Sequence, residues 1–128
     1  MTSTLGKKSQ EKLAGVHPAL VKVVEKASTI SSVEFIVLEG RRSSTRQAQL
    51  VKAGASKTMN SRHLSGHAVD LGAMLNGQIR WDWPLYHQIA KAMKEAAVQL
   101  EIPITWGGDW KKFPDGPHFE LDRRTYKA

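Results

Sequence analysis

The stretch SRHLSGHAVDL, residues 61–71, joins a glycine-containing turn to a short segment with strand-like alternation. Side chains of a β-strand alternate between its two faces, so we expect Asp70 and His67 to point in opposite directions. Gly66 permits a sharp bend ahead of the strand, and such a bend could fold His63 back towards Asp70. Imidazole and carboxylate groups that converge in this way are potential metal ligands.

Helices and short strands alternate irregularly on both sides of this stretch. Prolines at helix starts, apolar residues at helical spacing and glycine terminators mark the helices, and β-branched and aromatic runs mark the strands. The predicted helices cover Pro18–Ser28, a serine-capped run ending at Gly54, and Pro84–Leu100, and the predicted strands cover Val33–Glu39, HAVDL, ITW and HFEL. This irregular order favours an α+β domain over a doubly wound sheet.

The composition limits the kinds of site that the chain can build. It has 128 residues, no cysteine and a formal net charge of +7. Without cysteine, a metal must be held by histidine, carboxylate and water. The positive charge fits a partner rich in negative charge, such as nucleic acid, anionic lipid or cell-wall polymer, but it also fits an ordinary solvated surface. Because no nucleic-acid-binding motif is evident, we expect no nucleic-acid partner.

Membrane and export signals are not evident in the sequence. The N-terminal segment MTSTLGKKSQEKLAG lacks an apolar core after its lysines. No stretch approaches the roughly 18 apolar residues of a membrane span. We therefore expect synthesis in the cytoplasm without a signal peptide and no transmembrane segment.

A catalytic zinc site normally has three protein ligands and an open position. His118, in DGPHFEL at the start of the last predicted strand, is the best candidate for a third ligand beside His63 and Asp70. Asp115, three residues earlier, could take a proton from an attacking water and pass it to a leaving amine. Arg42 could neutralise the oxyanion. These residues suggest a zinc hydrolase, although packed or capping histidines would produce the same pattern.

The motifs resemble those of a known group of enzymes. SRHLSGHAVD, followed later by PHFEL, resembles the S-x-H-x-x-G-x-A-x-D and terminal-histidine signature of the zinc peptidases that include the vancomycin-resistance D-alanyl-D-alanine dipeptidases and carboxypeptidases. EGRRSSTRQ resembles their G-x-R-S-x-x-x-Q element. With VHPALVKVV and WGGDWKKFPDGPHFEL added, residues 16–121 are similar to phage endolysins of the L-alanyl-D-glutamate peptidase branch. Asp115 favours this branch, because the dipeptidases have glutamate there.

The resemblance implies a fold and roles for individual residues. It implies a hedgehog/D-Ala-D-Ala-peptidase-like domain, in which a short, mainly antiparallel sheet is packed by helices and a cleft holds zinc. The implied zinc ligands are His63, Asp70 and His118, the implied general base and acid is Asp115, and Arg42 would polarise the substrate carbonyl. Ser61 and Gln47 would lie around the metal or in the substrate cleft, and Asp109 could orient a zinc-bound histidine.

The implied activity is hydrolysis of the bond between L-alanine and D-glutamate in the peptidoglycan stem peptide, which lyses the bacterial host. We expect residues 1–128 to form one catalytic domain with its core at about 16–121 and no separate cell-wall-binding domain. The enzyme would act as a monomer at the wall, in the periplasm, after release aided by a holin. The alternatives are a D-alanyl-D-alanine carboxypeptidase or dipeptidase of the same fold, and a non-catalytic binding module.

The remaining histidines and tryptophans have simpler interpretations. We expect His17 to lie at a helix start and His87 on an exposed helix face. Trp81 and Trp83 are predicted to be packing residues. The pair in WGGDW, residues 106 and 110, is predicted to belong to the core, with a substrate-stacking platform as the alternative.

Overall fold

Four α-helices and five β-strands are formed by the residues that the computed structural model describes, which are 5–54, 61–112 and 114–127. The helices are α1 (Lys7–Lys12), α2 (Pro18–Ile30), α3 (Ser44–Lys52) and α4 (Trp83–Leu100), and a 3-10 turn covers Gly107–Asp109. The strands are β1 (Glu34–Glu39), β2 (Ala68–Leu75), β3 (Gln78–Arg80), β4 (Ile104–Trp106) and β5 (His118–Leu121). The predicted α+β class is confirmed.

The five strands form one antiparallel sheet with β2 near its middle. The order is β1-β2-β5-β4, and β3 pairs with β2. In the β2–β5 ladder, Val69 pairs with Phe119 and Asp70 pairs with His118. Since paired residues of adjacent strands lie on the same face, this register places two predicted metal ligands side by side.

Alternate residues of β2 and β5 form the core. Val69 and Leu71 of β2 and Phe119 and Leu121 of β5 are completely buried. They belong to one apolar cluster with side chains of α2 and α4, among them Leu20, Val23, Val24, Ile89, Met93 and Ala96. The helices and the sheet therefore share a single core, and the alternating residues of the same strands remain available for a polar site.

The helix boundaries follow from local capping. His17 caps α2, because its Nδ1 accepts a hydrogen bond from the amide of Ala19 at 3.0 Å, and this confirms its predicted position at a helix start. Ser43 caps α3 by accepting from the amide of Arg46 at 3.0 Å. At the end of α4, Glu101 adopts the left-handed conformation with φ 58°, which terminates the helix.

Two elements differ from the sequence prediction. The helix α1 was not predicted, and neither was the hairpin that joins β2 to β3. This hairpin turns at Asn76 and Gly77, whose φ angles of 54° and 78° are typical of a two-residue type I′ turn. Within the described parts of the chain, no helix combines the length and apolar character needed to cross a membrane.

The tryptophans divide between surface and core. Trp81 is 59% exposed, so the prediction that it is a packing residue was wrong. Trp83 is 42% exposed, but its ring packs against those of Tyr86 and Trp106. Trp81 lies in the segment between β3 and α4, and Trp83 is the first residue of α4. Trp106 is buried and packs against Phe119, as the core prediction required.

Candidate metal centre and active site

Three predicted metal ligands meet on the polar face of the sheet. One nitrogen of His63, one nitrogen of His118 and a carboxylate oxygen of Asp70 all lie within 4.8 Å of one another. Asp70 Oδ1 is 3.4 Å from His63 Nε2 and 3.4 Å from His118 Nδ1. The two histidines are buried, and their rings lie edge to face. These residues form a candidate metal site.

Local backbone structure brings the three candidate ligands together. Asp70 and His118 are partners in the β2–β5 ladder. His63 arrives from the preceding turn, in which Gly66 has φ +77° and a Cβ at this position would lie 2.3 Å from the carbonyl oxygen of Gly15. A larger residue would meet both strain and a clash, so glycine permits the sharp approach that the sequence predicted.

Hydrogen bonds orient both imidazole rings towards Asp70. His63 Nδ1 bonds to the carbonyl oxygen of Gly40 at 2.8 Å, and His118 Nε2 bonds to Glu120 Oε1 at 2.9 Å. Each of these nitrogens must donate, because its partner is an acceptor. The opposite nitrogens, which point at Asp70, therefore carry lone pairs when the rings are neutral. Metal-binding histidines are oriented in this way in general.

The donor set fits a divalent cation. Asp70 Oδ1 is buried and, within the described residues, receives no hydrogen bond. A buried carboxylate oxygen that faces two imidazole lone pairs is unfavourable unless a positive charge lies between them. Two imidazoles and one carboxylate are ligands that zinc accepts, with further positions left for water or substrate. The residues present thus fit the metal that the resemblance implies.

Without a metal, a proton on His118 supplies positive charge in the cluster. Burial alone would lower the pKa of His118, but the negative charges of Asp70 and Glu120, together with the hydrogen bond to Glu120, outweigh burial and raise this pKa to about 9. Burial would raise the pKa of Asp70, yet His118 and His63 hold it below its ordinary range. The site therefore attracts cations, and a metal must displace a firmly held proton.

Arg42 lies beside the cluster and is held by four side chains. Its Nε donates to Glu39, and its Nη1 donates to Gln47 Oε1 at 2.6 Å. Ser61 Oγ accepts from the same nitrogen at 3.5 Å, and Asp70 Oδ2 is 3.8 Å from Nη2. Gln47 and Ser61, which the sequence placed near the metal or cleft, thus contact the arginine. The guanidinium is fixed next to the candidate metal ligands.

Asp115 lies at the start of the turn that leads into β5. Its amide donates to the carbonyl of Gly107 at 2.9 Å, and its own carbonyl accepts from the amide of His118 at 3.2 Å. The pKa of its carboxyl is raised, first because the surrounding protein partly removes it from water and then because of the charge of Asp70. His118, His63 and Arg42 act in the opposite direction. Asp115 therefore shares the electrostatic environment of the metal ligands.

Other predicted residues lie outside the cluster. Asp109 Oδ2 pairs with Lys94 at 2.8 Å on the surface, and the bonds that orient the histidines come from Gly40 and Glu120. These contacts therefore do not support the predicted role of Asp109 in orienting a histidine. His67 bonds to Ser65, and its ring packs against that of His17 at 5.3 Å.

The sequence interpretation missed several groups at the site. Glu120 was not selected, although a residue two positions after His118 in a strand must share its face. Trp110 was predicted to belong to the core, but it is half-buried outside the core cluster, with its ring 5.0 Å from that of His118, so it borders the site. The carbonyl of Gly40 carries no side-chain signal, and only the folded structure identifies it as a ligand-orienting group.

Comparisons with known proteins identify the family. The family model of the phage L-alanyl-D-glutamate peptidases matches residues 1–128. The L-alanyl-D-glutamate peptidase of Escherichia phage T5 is 34% identical over 130 residues, covering 98% of this chain and 94% of that protein. The crystal structure of the Serratia marcescens L-Ala D-Glu endopeptidase ChiX matches with 51% identity and a TM-score of 0.91, covering 95% of this chain and 92% of that one.

A more distant structure shares the fold alone. The vancomycin-resistance D,D-dipeptidase VanXYg, in complex with a phosphinate analogue of D-Ala-D-Ala, is 24% identical with a TM-score of 0.51. The match covers 80% of this chain and 47% of the dipeptidase. On the full-length match to the family model and the near full-length similarity to the phage T5 enzyme, the chain belongs to the phage L-alanyl-D-glutamate peptidase family.

Proposed function

We propose that the protein is a zinc-dependent peptidoglycan endopeptidase that hydrolyses the bond between L-alanine and D-glutamate of the stem peptide. The observation that carries this proposal is the meeting of His63, Asp70 and His118 at one point beside Arg42. The activity named for the phage T5 and Serratia relatives supports the choice of bond.

We assign the metal to His63 Nε2, Asp70 Oδ1 and His118 Nδ1. Bound zinc would supply Lewis acidity at the scissile carbonyl and make hydroxide available near neutral pH. The protein contributes the orientation of its ligands, through the bonds from His63 to Gly40 and from His118 to Glu120. It also contributes the negative charge of Asp70, which balances part of the charge of the cation.

Asp115 is assigned the proton transfers. A carboxylate beside the metal ligands can accept a proton from the attacking water and deliver it to the nitrogen of the departing D-glutamate. Its raised pKa favours this role, because a base whose pKa lies closer to the working pH both accepts and releases the proton readily. Backbone hydrogen bonds from Asp115 to Gly107 and from His118 to Asp115 fix the turn that joins Asp115 to His118, which supports this assignment.

Arg42 is assigned to the substrate carbonyl. As the bond is attacked, negative charge grows on the carbonyl oxygen, and a cation already fixed nearby stabilises it without reorganisation. Glu39, Gln47 and Ser61 hold the guanidinium in place, so this requirement is met before substrate binds.

A groove next to Arg42 suits an acidic peptide. It has a volume of about 590 Å³ and is lined by Ala14, Arg41, Arg42, Ser43, Ser44 and Leu64. Two arginines and two hydroxyls offer donors to the carboxylates of a peptidoglycan stem. The net charge of +7 would also attract the chain to an anionic wall polymer.

The remaining expectations extend the same proposal. We propose that residues 1–128 act as one catalytic domain, and the match of the family model over this range supports that proposal. We further propose a monomer that acts on the wall from the periplasm after release through holin-made openings. Sedimentation at micromolar concentration tests the monomer, and co-expression with and without a holin tests the release.

Digestion of defined muropeptides tests the reaction. The zinc-loaded protein should release a stem peptide that begins with D-glutamate, as identified by mass spectrometry. Asp115→Asn, which keeps the size of the side chain, should bind zinc but cleave about a hundredfold to ten-thousandfold more slowly. Loss of a terminal D-alanine would assign the protein to the carboxypeptidases, and absence of cleavage by the zinc-loaded protein would leave only a binding module.

A further inference from the structure

Glu120 is a buried carboxylate outside the proposed ligand and catalytic set. It lies two residues after His118 on β5, and it is only 2% exposed. Its Oε1 accepts the hydrogen bond from His118 Nε2 at 2.9 Å, and its Oε2 accepts one from Arg123 Nε at 2.9 Å. Arg62 Nε lies 3.7 Å from the same Oε2. Because burying a charged carboxylate costs free energy, the position of Glu120 needs a structural or functional explanation.

We propose that Glu120 is a positioning residue that fixes the tautomer of His118 and sets the affinity of the site for zinc. This inference rests on the proposed function, because it assumes that His118 is a zinc ligand. A carboxylate that accepts a hydrogen bond from Nε2–H keeps the proton on Nε2, so that Nδ1 stays free to bind the metal. Its negative charge also makes Nδ1 a better electron donor than a neutral acceptor would.

The two histidines are supported unequally. His63 donates to the neutral carbonyl of Gly40, whereas His118 donates to an ionised carboxylate. Hydrogen bonds to charged acceptors are roughly twice as strong as those between neutral groups. Removal of Glu120 should therefore affect the metal site more than loss of the Gly40 bond. Glu120 can also be removed by substitution, whereas the carbonyl of Gly40 belongs to the backbone.

Arg62 forms an ion pair with Glu120 at 3.7 Å, without a hydrogen bond, and links it to the other histidine. Its guanidinium is buried, and its Nη2 donates to the carbonyls of Leu121 at 2.9 Å and Tyr126 at 2.8 Å. Arg62 directly precedes His63 in the chain. One side chain thus joins the turn that carries the first ligand to the strand that carries the last, with Glu120 between them.

Zinc affinity, measured by competition with a chromophoric chelator, tests the proposal without any substrate. Glu120→Ala should weaken zinc binding about tenfold to a hundredfold. Glu120→Gln should weaken it less, because the amide oxygen keeps the hydrogen bond while the charge is lost. The matched control is Asp122→Asn, a nearby acid that bonds to Arg124 and should leave the affinity unchanged.

Circular dichroism must show that the variants fold, because Glu120→Ala leaves Arg62 without its carboxylate. Glu120→Gln, which retains an acceptor, provides the test if the alanine variant does not fold. Folded Glu120 variants that bind zinc as tightly as the parent protein would overturn the proposal. If the affinities follow the predicted order but the parent protein cleaves no stem peptide, the proposed function fails and the positioning role stands.

Discussion

The two faces of strands β2 and β5 are built from alternating residues of the same short segments, yet they serve different purposes. One face holds Leu71 and Phe119, which are completely buried in the apolar core. The other holds Asp70, His118 and Glu120, which form the candidate metal site and its support. Successive residues therefore point alternately into the apolar core and into the polar site, on opposite sides of the strand backbone.

This arrangement explains how a small domain holds a buried charged cluster. The apolar face contributes the free energy that folds the chain, because burial of large aliphatic and aromatic side chains is favourable. The ladder hydrogen bonds then fix the positions of the polar residues opposite. On this view, substitutions on one face should change stability and those on the other should change metal binding and catalysis.

The largest effect is expected from Asp70→Asn. The amide keeps the shape of the side chain but removes the negative charge from between two imidazoles, so zinc should bind poorly. We expect cleavage of stem peptides to fall about ten-thousandfold, which corresponds to roughly 5 kcal/mol in activation free energy. Zinc content and muropeptide turnover measure the two losses. Retention of both would show that Asp70 is not a ligand.

The adjacent substitution, Leu71→Ala, should act in the opposite way. Removal of a fully buried leucine side chain should lower the free energy of unfolding by about 2–5 kcal/mol. Each folded molecule should still bind one zinc ion, because Leu71 points away from the site. Urea unfolding and zinc titration at low temperature provide the measurements. A variant that kept its stability but lost zinc would contradict the separation of the two faces.

A smaller effect is expected from Arg42→Lys. Lysine keeps the positive charge but cannot reproduce the simultaneous contacts with Glu39, Gln47 and Ser61. The rate of cleavage should fall about a hundredfold, with zinc affinity nearly unchanged. Steady-state kinetics on a muropeptide, together with zinc competition, separates these outcomes. A large loss of zinc affinity would show that Arg42 acts on the ligands and not on the substrate.

The smallest effect is the response of the metal-free protein to pH. The pKa of His118 is raised from 6.5 to about 9 in the folded chain, so its protonation stabilises the fold fully below pH 6.5 and no longer above pH 9. Between these values the melting temperature should fall by roughly several degrees. With zinc bound this fall should disappear, because the metal replaces the proton. Thermal melts with and without a chelator decide the matter.

The sequence carried most of the information about the metal face. Strand alternation and the glycine at 66 predicted that His63 could approach Asp70, and spacing suggested His118 as the third member. The same alternation could have identified Glu120, since it is two residues from His118 in a predicted strand. The Asn76–Gly77 pair is a hairpin signal of the same kind. The approach of His63 to Asp70, the position of Glu120 and the hairpin turn depend only on neighbouring residues, whereas the pairing of Asp70 with His118 does not.

Other features depended on contacts between distant segments. The carbonyl of Gly40 orients His63, and Arg62 donates to carbonyls at Leu121 and Tyr126, but backbone acceptors leave no pattern in a sequence. The sequence also could not show that Trp81 is exposed and Trp106 is buried, because tryptophan side chains occur both on the surface and in the core.

The sequence by itself determined the α+β class, the candidate ligands and the family resemblance, because side-chain periodicity and motif spacing are local properties. The tertiary structure decided that Asp70 and His118 are paired partners, that Glu120 supports one histidine and a carbonyl supports the other, and that Asp109 pairs with Lys94 on the surface. The physical reason is that strand register and loop packing select among contacts that the local sequence leaves equally possible.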